Sequence, residues 1–534
     1  MPLNKIRQLD HFIATIQRVG PSLAKITKDA SHCLEFDRIA NRKTQDIIAM
    51  SSAKKKGNRF SDRFGLLQSQ AELDFVDIPV DADLKLFCDP YSFVIESDPW
   101  FVECNNEVSS FFQRLLDFIR ARDRSSAMQM LEHVGEANEA HLGFSEKEAR
   151  GLGIGRKKAE ALYERLQSSD AVKTGRLQDI SECDLFVRGV GPDNISDMTL
   201  NIIRHKLLEY TATQCEQLGI ETKMVQGGFC WNNESNRWKN GYAHLPVVDG
   251  NRLLLVPKAA VRYRLALDHQ DFYRKHVLEF LQAEHLSANT SLVHVLKNGK
   301  RRVTKKDVAQ ENPLSKEMLF RFAEEHPEVL KAYKESAYNN IAVLRDEDIE
   351  GQQRQQKGVD IQAILTKLDQ LKSGHEDASK FHDAVFGAMH AIFYPQLRMF
   401  KKEAEINEGR KRLDIIANNS RAPGFFSDLA SQHNILCPYI AFECKNYTED
   451  PRNPEFDQLS GRLNDQRGKV GVLICRHITD RPAIIAKCKD YRKKGELLIV
   501  LDDQDLKILL GHRKEQAYGL ISEYMHKRLR EIEL

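Results

Sequence analysis

Three charged side chains stand out against apolar sequence near the C-terminus. Asp414 lies in Arg412-Leu413-Asp414-Ile415-Ile416-Ala417, and Glu443 and Lys445 lie in Tyr439-Ile440-Ala441-Phe442-Glu443-Cys444-Lys445-Asn446-Tyr447. β-Branched and aromatic residues give both runs strand character, and period 2 puts Glu443 and Lys445 on one face of their strand. A carboxylate and an ammonium projecting from an apolar strand are costly unless they pair with each other, with a metal or with a substrate. Two carboxylates on adjacent strands suit Mg²⁺, which prefers oxygen ligands and keeps several of its waters. Such an ion lowers the pKa of a bound water and stabilises charge building on a phosphate. Lys445 would orient that water or sit against the phosphate. The chemistry is phosphodiester hydrolysis; the alternative for the same residues is ordinary ion pairing at a sheet edge.

The flanking sequence must supply the elements that hold these groups. Phe381, Val385, Met389 and Ile392 recur at helical spacing, and that helix must stop at Tyr394-Pro395. Glu403-Ala404-Glu405-Ile406 followed by Asn407-Glu408-Gly409 reads as a strand entering a tight turn into the Asp414 strand. Pro454 to Arg467 has helical character with Gln458 and Arg462 one turn apart. Val470 to Cys475 reads as a buried strand, Ala483 to Lys494 as a helix and Leu497 to Leu501 as a strand. The order is helix, strand, turn, strand, long loop, strand, helix, strand, which is an α/β pattern.

With Asp414, a spacer of twenty-eight residues and then Glu443-Cys444-Lys445, the segment resembles the PD-(D/E)XK nuclease superfamily, the restriction-endonuclease-like fold. Leu413 stands where the motif's name has proline, a common departure. The resemblance spans roughly residues 375–512. It implies a mixed sheet flanked by helices, with Mg²⁺ or Mn²⁺ held by Asp414 and Glu443. Lys445 and Gln458 complete the implied catalytic set, the glutamine as in branches related to Holliday-junction resolvases. The helix before the first core strand often carries an acidic residue that reaches the metal, and here His382 and Asp383 are the candidates. Glu405 either completes the metal site or faces solvent. Arg410, Arg412 and Arg462 are candidate phosphate contacts.

The whole chain has 534 residues, enough for two to four domains, and 29% charged residues with a net charge of +2. No global basic field results, but local clusters such as Lys54-Lys55-Lys56, Arg156-Lys157-Lys158 and Lys300-Arg301-Arg302 with Lys305-Lys306 can meet phosphates. Ten cysteines without CxxC pairs disfavour structural zinc and fit reduced thiols in a cytoplasm. No apolar run approaches a membrane span, and no GxxxxGK[ST] marks an ATPase.

The expected organisation is a multidomain α/β chain. A helical segment (1–60) precedes a mixed α/β domain (61–270), a helical extension (271–344), a linker with a short helix (345–374) and the nuclease-like domain (375–534). Within the mixed domain, Leu73 to Pro79 and Leu84 to Phe87 read as strands and Glu107–Arg122 and Ala127–Val134 as helices. Gly151-Leu152-Gly153-Ile154-Gly155 reads as a glycine loop before a helix, either a cap or half of a helix-hairpin-helix. Leu185 to Val187 reads as a strand, and a long helix (Met198 to Leu218) follows, with Asp193 and Asp197 placed to cap it or to bind an ion. The polar stretch Arg345 to Gly358 is the expected linker.

The functional expectation is a Mg²⁺-dependent DNA endonuclease, RNA remaining open as substrate, acting as a cytoplasmic effector of prokaryotic anti-phage defence. The N-terminal region would serve recognition, regulation or assembly. Expected partners are DNA, a second copy of the chain and a separate defence subunit, with no membrane. The alternatives are a branched-DNA repair nuclease and a non-catalytic scaffold that keeps the fold.

Overall fold

Burial in the N-terminal half follows helical periodicity. The computed structural model describes residues 57–96, 98–143, 152–339, 343–354, 356–406, 411–420 and 422–534. Most of the helical segment expected at 1–60 lies outside them. In α1 (Pro99–Arg120), Phe101, Cys104, Val108, Phe111, Phe112, Leu115, Leu116 and Ile119 form one buried stripe. Pro99 opens the helix, and Asp98 caps it by accepting from Trp100 N at 2.9 Å. Helices α2 (Arg124–Leu131), α3 (Leu152–Ser168), α4 (Pro192–Ile202) and α5 (Arg204–Gln217) pack with it into one apolar core that extends to Ile349. An antiparallel ribbon, β1 (Lys223–Asn232) with β2 (Arg237–Leu245), lies on α5. It can approach closely because a Cβ on Gly227 would sit 2.7 Å from a Leu208 methyl.

Several local expectations are corrected here. The strands expected at Leu73–Pro79 and Leu84–Phe87 shrink to isolated bridges and a two-residue strand at Phe87–Cys88. The bridges Arg59↔Pro79 and Phe75↔Pro257 each involve a proline, which has no N–H to continue a ladder. Gly153 and Gly155 lie inside α3 rather than in a loop, and Cys183–Phe186 is a short helix rather than a strand. The helix expected from Met198 to Leu218 is two helices, α4 and α5, broken at Ile203. Asn194, not an aspartate, closes the start of α4 by accepting from Gly191 N at 3.3 Å, while Asp197 turns to Ala137 N at 3.5 Å. The helical extension holds α6 (Leu278–Ala288), a small hairpin of β3 (His294–Val295) and β4 (Arg301–Arg302), and then α7 (Lys305–Glu311), α8 (Lys316–Glu325) and α9 (Pro327–Asn339).

The expected linker is instead a buried clasp. Helix α10 (Asp346–Gln352) carries Asp346, whose Oδ1 accepts from Lys258 Nζ at 2.7 Å and whose Oδ2 accepts from Arg513 Nη2 at 3.0 Å. Each of these three side chains is only 1% exposed. Arg513 also donates from Nε to Ala391 O at 2.8 Å and pairs with Glu347. Glu350 binds both terminal nitrogens of Arg59, at 2.5 and 3.1 Å, and Gln353 Nε2 reaches Asp77 O at 2.7 Å. A polar composition looks like a linker, yet here the charges satisfy one another between the N-terminal core and a second, C-terminal one. The two cores interlock within residues 58–534, which form one compact unit, Ala71 packing in the C-terminal core and Met399 in the N-terminal one.

The second core surrounds a five-stranded mixed sheet. Helices α11 (Ile361–Gln370) and α12 (Ala378–Phe393) lead into β5 (Leu397–Ile406), β6 (Lys411–Asn419) and helix α13 (Phe425–Ser431). There follow β7 (Tyr439–Lys445), α14 (Asn453–Ser460), β8 (Val470–Cys475), α15 (Arg481–Lys493), β9 (Leu497–Leu501), α16 (Asp503–Lys514) and α17 (Tyr518–Glu533). The strand order is β9-β8-β7-β6-β5; the β5–β6 and β6–β7 pairs are antiparallel, and β7–β8 and β8–β9 are parallel. Every residue of β8 and β9 is buried, as expected of parallel strands covered on both faces. The protein is thus mixed α/β, about half helical, with its sheet in the C-terminal region.

Candidate functional site

Register builds the site. Strand β6 pairs antiparallel with β7 through Ile415↔Phe442 and Ile416↔Ala441, and one further step sets Asp414 opposite Glu443. Directly opposed residues share a face, and Lys445 joins them by period 2. On the other face Leu413, Ile415, Ala417 and Phe442 are buried, and the Phe442 ring lies 6.4 Å from that of Phe393 in α12. The apolar alternation noted in both strands therefore holds α12 on one side and leaves the charged groups on the other.

The charges form one connected cluster. Glu443 is completely buried; Lys445 Nζ donates to its Oε1 at 2.8 Å, and the Arg462 guanidinium pairs with its Oε2. Lys445 Nζ also donates to Gln458 Oε1 at 3.1 Å. Asp414 Oδ2 accepts from the Cys444 backbone N–H at 2.9 Å, which fixes the carboxylate beside β7. Burial lowers the Arg462 guanidinium from its usual range, and the nearby Asp414 carboxylate opposes that shift. Arg462 therefore lies close to both carboxylates, and its cation balances the charge that burial makes costly.

Helix α14 delivers Gln458. Pro454 starts it, Glu455 accepts from Arg452 N at 2.8 Å, and the helix ends at Ser460 with Gly461 as its cap. It presses on β8 at Gly471, where an added Cβ would lie 2.8 Å from Leu459 Cγ. The helix expected to run to Arg467 thus stops early, and Arg462 sits beyond it. Arg462, a candidate phosphate contact, pairs with Glu443 and is only 8% exposed.

The remaining candidates are dispersed. His382 Nε2 lies 3.2 Å from Cys444 O, and Asp383 pairs with Lys402, which the ladder sets opposite Ile415 on the α12 face. Neither contacts Asp414 or Glu443, because α12 packs against the opposite side of the sheet. Glu405 is opposite Arg412 in the β5–β6 ladder, on the Asp414 face, although its side chain lies outside the described residues. Arg412 is exposed and donates to Glu403 Oε2 at 3.3 Å; Arg410 lies outside the described residues.

A cleft was not anticipated. Glu96, Asp98 and Phe101 meet Arg398, Met399, Asn418 and Tyr439 around a small open cleft, with Glu96 paired to Arg398 and Asn418 bonded to Asp98. By alternation Asn418 and Tyr439 share the face of Asp414 and Glu443, four residues away along each strand, roughly 13 Å. Nothing in the local sequence signals this cleft, since it forms where the N-terminal core meets the sheet.

Among the described residues, one triad has metal-ligand types in reach of one another: Asp184, Asp268 and His269. Its groups are already engaged. Asp184 Oδ2 accepts from His269 N at 3.0 Å and lies 2.8 Å from His269 Nδ1, while its Oδ1 accepts from Lys316 Nζ at 3.3 Å. Burial pushes the Asp184 carboxyl up, but His269 and Lys316 outweigh it and hold the group below its usual range. The Lys316 ammonium supplies the positive charge there.

Fold and site together define a mixed α/β protein with two carboxylates and two cations gathered on one side of its C-terminal sheet. A family model described as a domain of unknown function (DUF8370) matches residues 65–268, within the N-terminal core. The chain is also similar to the putative transposon gamma-delta 80.3 kDa protein of Escherichia coli (strain K12), at 27% identity over 174 residues. That match covers 31% of this chain and 24% of that protein, so the chain spans about a quarter of the length of this curated relative. No solved structure matches. No helix among the described residues is long and apolar enough to cross a membrane.

Proposed function

We propose that the C-terminal sheet carries a Mg²⁺-dependent phosphodiesterase site of the PD-(D/E)XK type, and that the chain is a DNA endonuclease. The observation that carries this reading is the opposition of Asp414 and Glu443 on one sheet face, with Lys445 hydrogen-bonded to both Glu443 and Gln458. Two hard oxygen donors on neighbouring strands fit Mg²⁺. When bound, the ion would supply Lewis acidity and a water of lowered pKa. Asp414, anchored by the Cys444 N–H, and Glu443 would hold it. Lys445 is kept in place by Glu443 and Gln458 and would offer its one remaining N–H to the attacking water or a phosphate oxygen. Arg462 would release Glu443 as the metal enters.

The relative's name ties it to a transposon, a DNA element, which accords with a chain that acts on DNA. A role in prokaryotic defence, with the N-terminal core recognising the trigger or a second subunit and two copies cutting the two strands, rests on analogy with other large nuclease-bearing chains. A second reading has its own observation: both oxygens of Glu443 already meet a cation, as in a purely structural ion cluster.

Supercoiled plasmid incubated with Mg²⁺ or with EDTA separates the two. The nuclease reading predicts metal-dependent nicking or linearisation that Asp414→Asn and Lys445→Met each abolish while circular dichroism stays unchanged. Cutting that persists in both variants, or a wild type inert towards plasmid, linear, branched and RNA substrates alike, favours the structural cluster.

A further inference from the structure

The chain's net charge is only +2, yet residues 294–306 hold six lysines and arginines and no aspartate or glutamate. In the structure this segment is the β3–β4 hairpin and the first turn of α7. His294 pairs with Arg302 and Val295 with Arg301, Leu296 N donates to Lys300 O at 2.9 Å, and Gly299 turns the chain with φ of +78°. The stem is anchored: Val303 is 2% exposed and its carbonyl accepts from Gln282 Nε2 at 2.7 Å. The rest of the hairpin stands in solvent, with Val295 71% and Leu296 42% exposed.

Lys305 is committed to Glu279 Oε1 and Arg274 O, at 2.8 and 2.7 Å. Arg301 makes one hydrogen bond, to Asn289 Oδ1 at 3.3 Å. Among the described residues no carboxylate pairs with Lys297, Lys300, Arg301, Arg302 or Lys306. An ordinary solvated charge run interleaves acids with bases; this one does not. Alternation places Arg301 with Val295 on one face of the ribbon, and Arg302 with Lys300 and Leu296 on the other.

We infer that the His294–Arg302 hairpin is an arm that enters the major groove of duplex DNA, its two faces turned to the two flanking phosphate backbones. Two strands about 4.8 Å apart fit a groove about 12 Å wide, which admits a two-stranded ribbon. Cations on both faces are then neutralised from both sides. An anionic membrane fits less well, because such a hairpin would carry its large apolar residues at the tip, where Lys297-Asn298-Gly299-Lys300 stand instead. The inference deepens the DNA reading but concerns binding alone, so it survives or fails independently of cleavage.

The test is fluorescence anisotropy of a labelled 20-base-pair duplex with the full chain in EDTA, over a salt series. Wild type should bind without metal, since the arm does not use the carboxylates. The triple variant Lys300→Ala, Arg301→Ala, Arg302→Ala should lower affinity at least tenfold at 0.15 M salt. It should also flatten the slope of log K against log salt by about 2 to 3, roughly 0.9 for each phosphate that the protein no longer neutralises. These side chains are exposed, so the variant keeps its fold, checked by circular dichroism. An unchanged affinity and slope in the triple variant would overturn the inference. So would equal binding of duplex RNA, whose major groove is too deep and narrow for the ribbon, or binding of phosphatidylserine vesicles in place of DNA.

Discussion

Replacing Asp346 by alanine removes the carboxylate that Lys258 and Arg513 share at the junction of the two cores. Arg513 would keep Glu347 and the Ala391 carbonyl, so it stays satisfied. Lys258 would be left with Gln70 O at 3.5 Å and the Tyr394 ring at 3.9 Å, neither of which carries a formal negative charge. Removing one partner of a buried ion pair costs about 3–5 kcal/mol, because the other charge stays desolvated. Only one cation is orphaned here, so the loss should be about that amount and not double it. Against a typical total of about 5–15 kcal/mol, this is enough to separate the cores. Urea unfolding followed by tryptophan fluorescence and far-ultraviolet dichroism should then show two transitions where the wild type shows one. The triple change Lys258→Met, Asp346→Leu, Arg513→Met should recover most of the loss, since apolar replacement of a whole buried ion network is often neutral or better. A cost below about 1 kcal/mol for Asp346→Ala, the range of an exposed pair, would refute the reasoning.

Arg462→Ala takes one cation from Glu443 and should lower apo stability by about 2–4 kcal/mol while tightening Mg²⁺ binding in calorimetry; unchanged Mg²⁺ affinity would mean that Arg462 does not compete with the metal. Burial, with Asp193 nearby, raises the Asp197 carboxyl to about 8. Its protonated form is the one the fold prefers, so its contribution is fully present below the ordinary carboxylate range and is lost as pH rises towards about 8. Asp197→Asn should therefore stabilise progressively between about pH 5 and 8, measured by thermal melts, and a flat pH dependence of the difference would contradict it. The nine cysteines among the described residues are buried, with thiols such as Cys88, Cys444 and Cys475 pushed up by burial. Ellman's reagent at pH 8 should label them only on unfolding, and rapid native labelling of several would show that the cores open.

Sequence and structure agree best where burial is strongest. Val470–Cys475 and Leu497–Leu501 are legible because continuous apolar runs of that length have to be covered strands. The shared face of Glu443 and Lys445 follows from period 2 alone. The sequence puts Arg462 one turn from Gln458, but its burial against Glu443 is set by the turn after Gly461 and is not legible from spacing. Order along the chain draws Asp383 and His382 towards the site, whereas α12 places them against the other face. The clasp is hidden from the sequence because Asp346, Glu347 and Glu350 find their partners at Lys258, Arg513 and Arg59, far away along the chain. Leu73–Pro79 looks like a strand by residue type but lacks a ladder partner without proline.

Cleavage depends on offering the right substrate, whereas metal binding depends only on the site. The most direct test of the central claim is calorimetric titration of the apo chain with Mg²⁺ and Mn²⁺, wild type beside Asp414→Asn and Glu443→Gln. Saturable binding to the wild type is expected, and each substitution should abolish it or weaken it at least tenfold with the fold intact by circular dichroism. Wild-type protein that takes up neither ion, or binding that both variants retain, would show that Asp414 and Glu443 belong to a structural ion cluster and not to a metal centre.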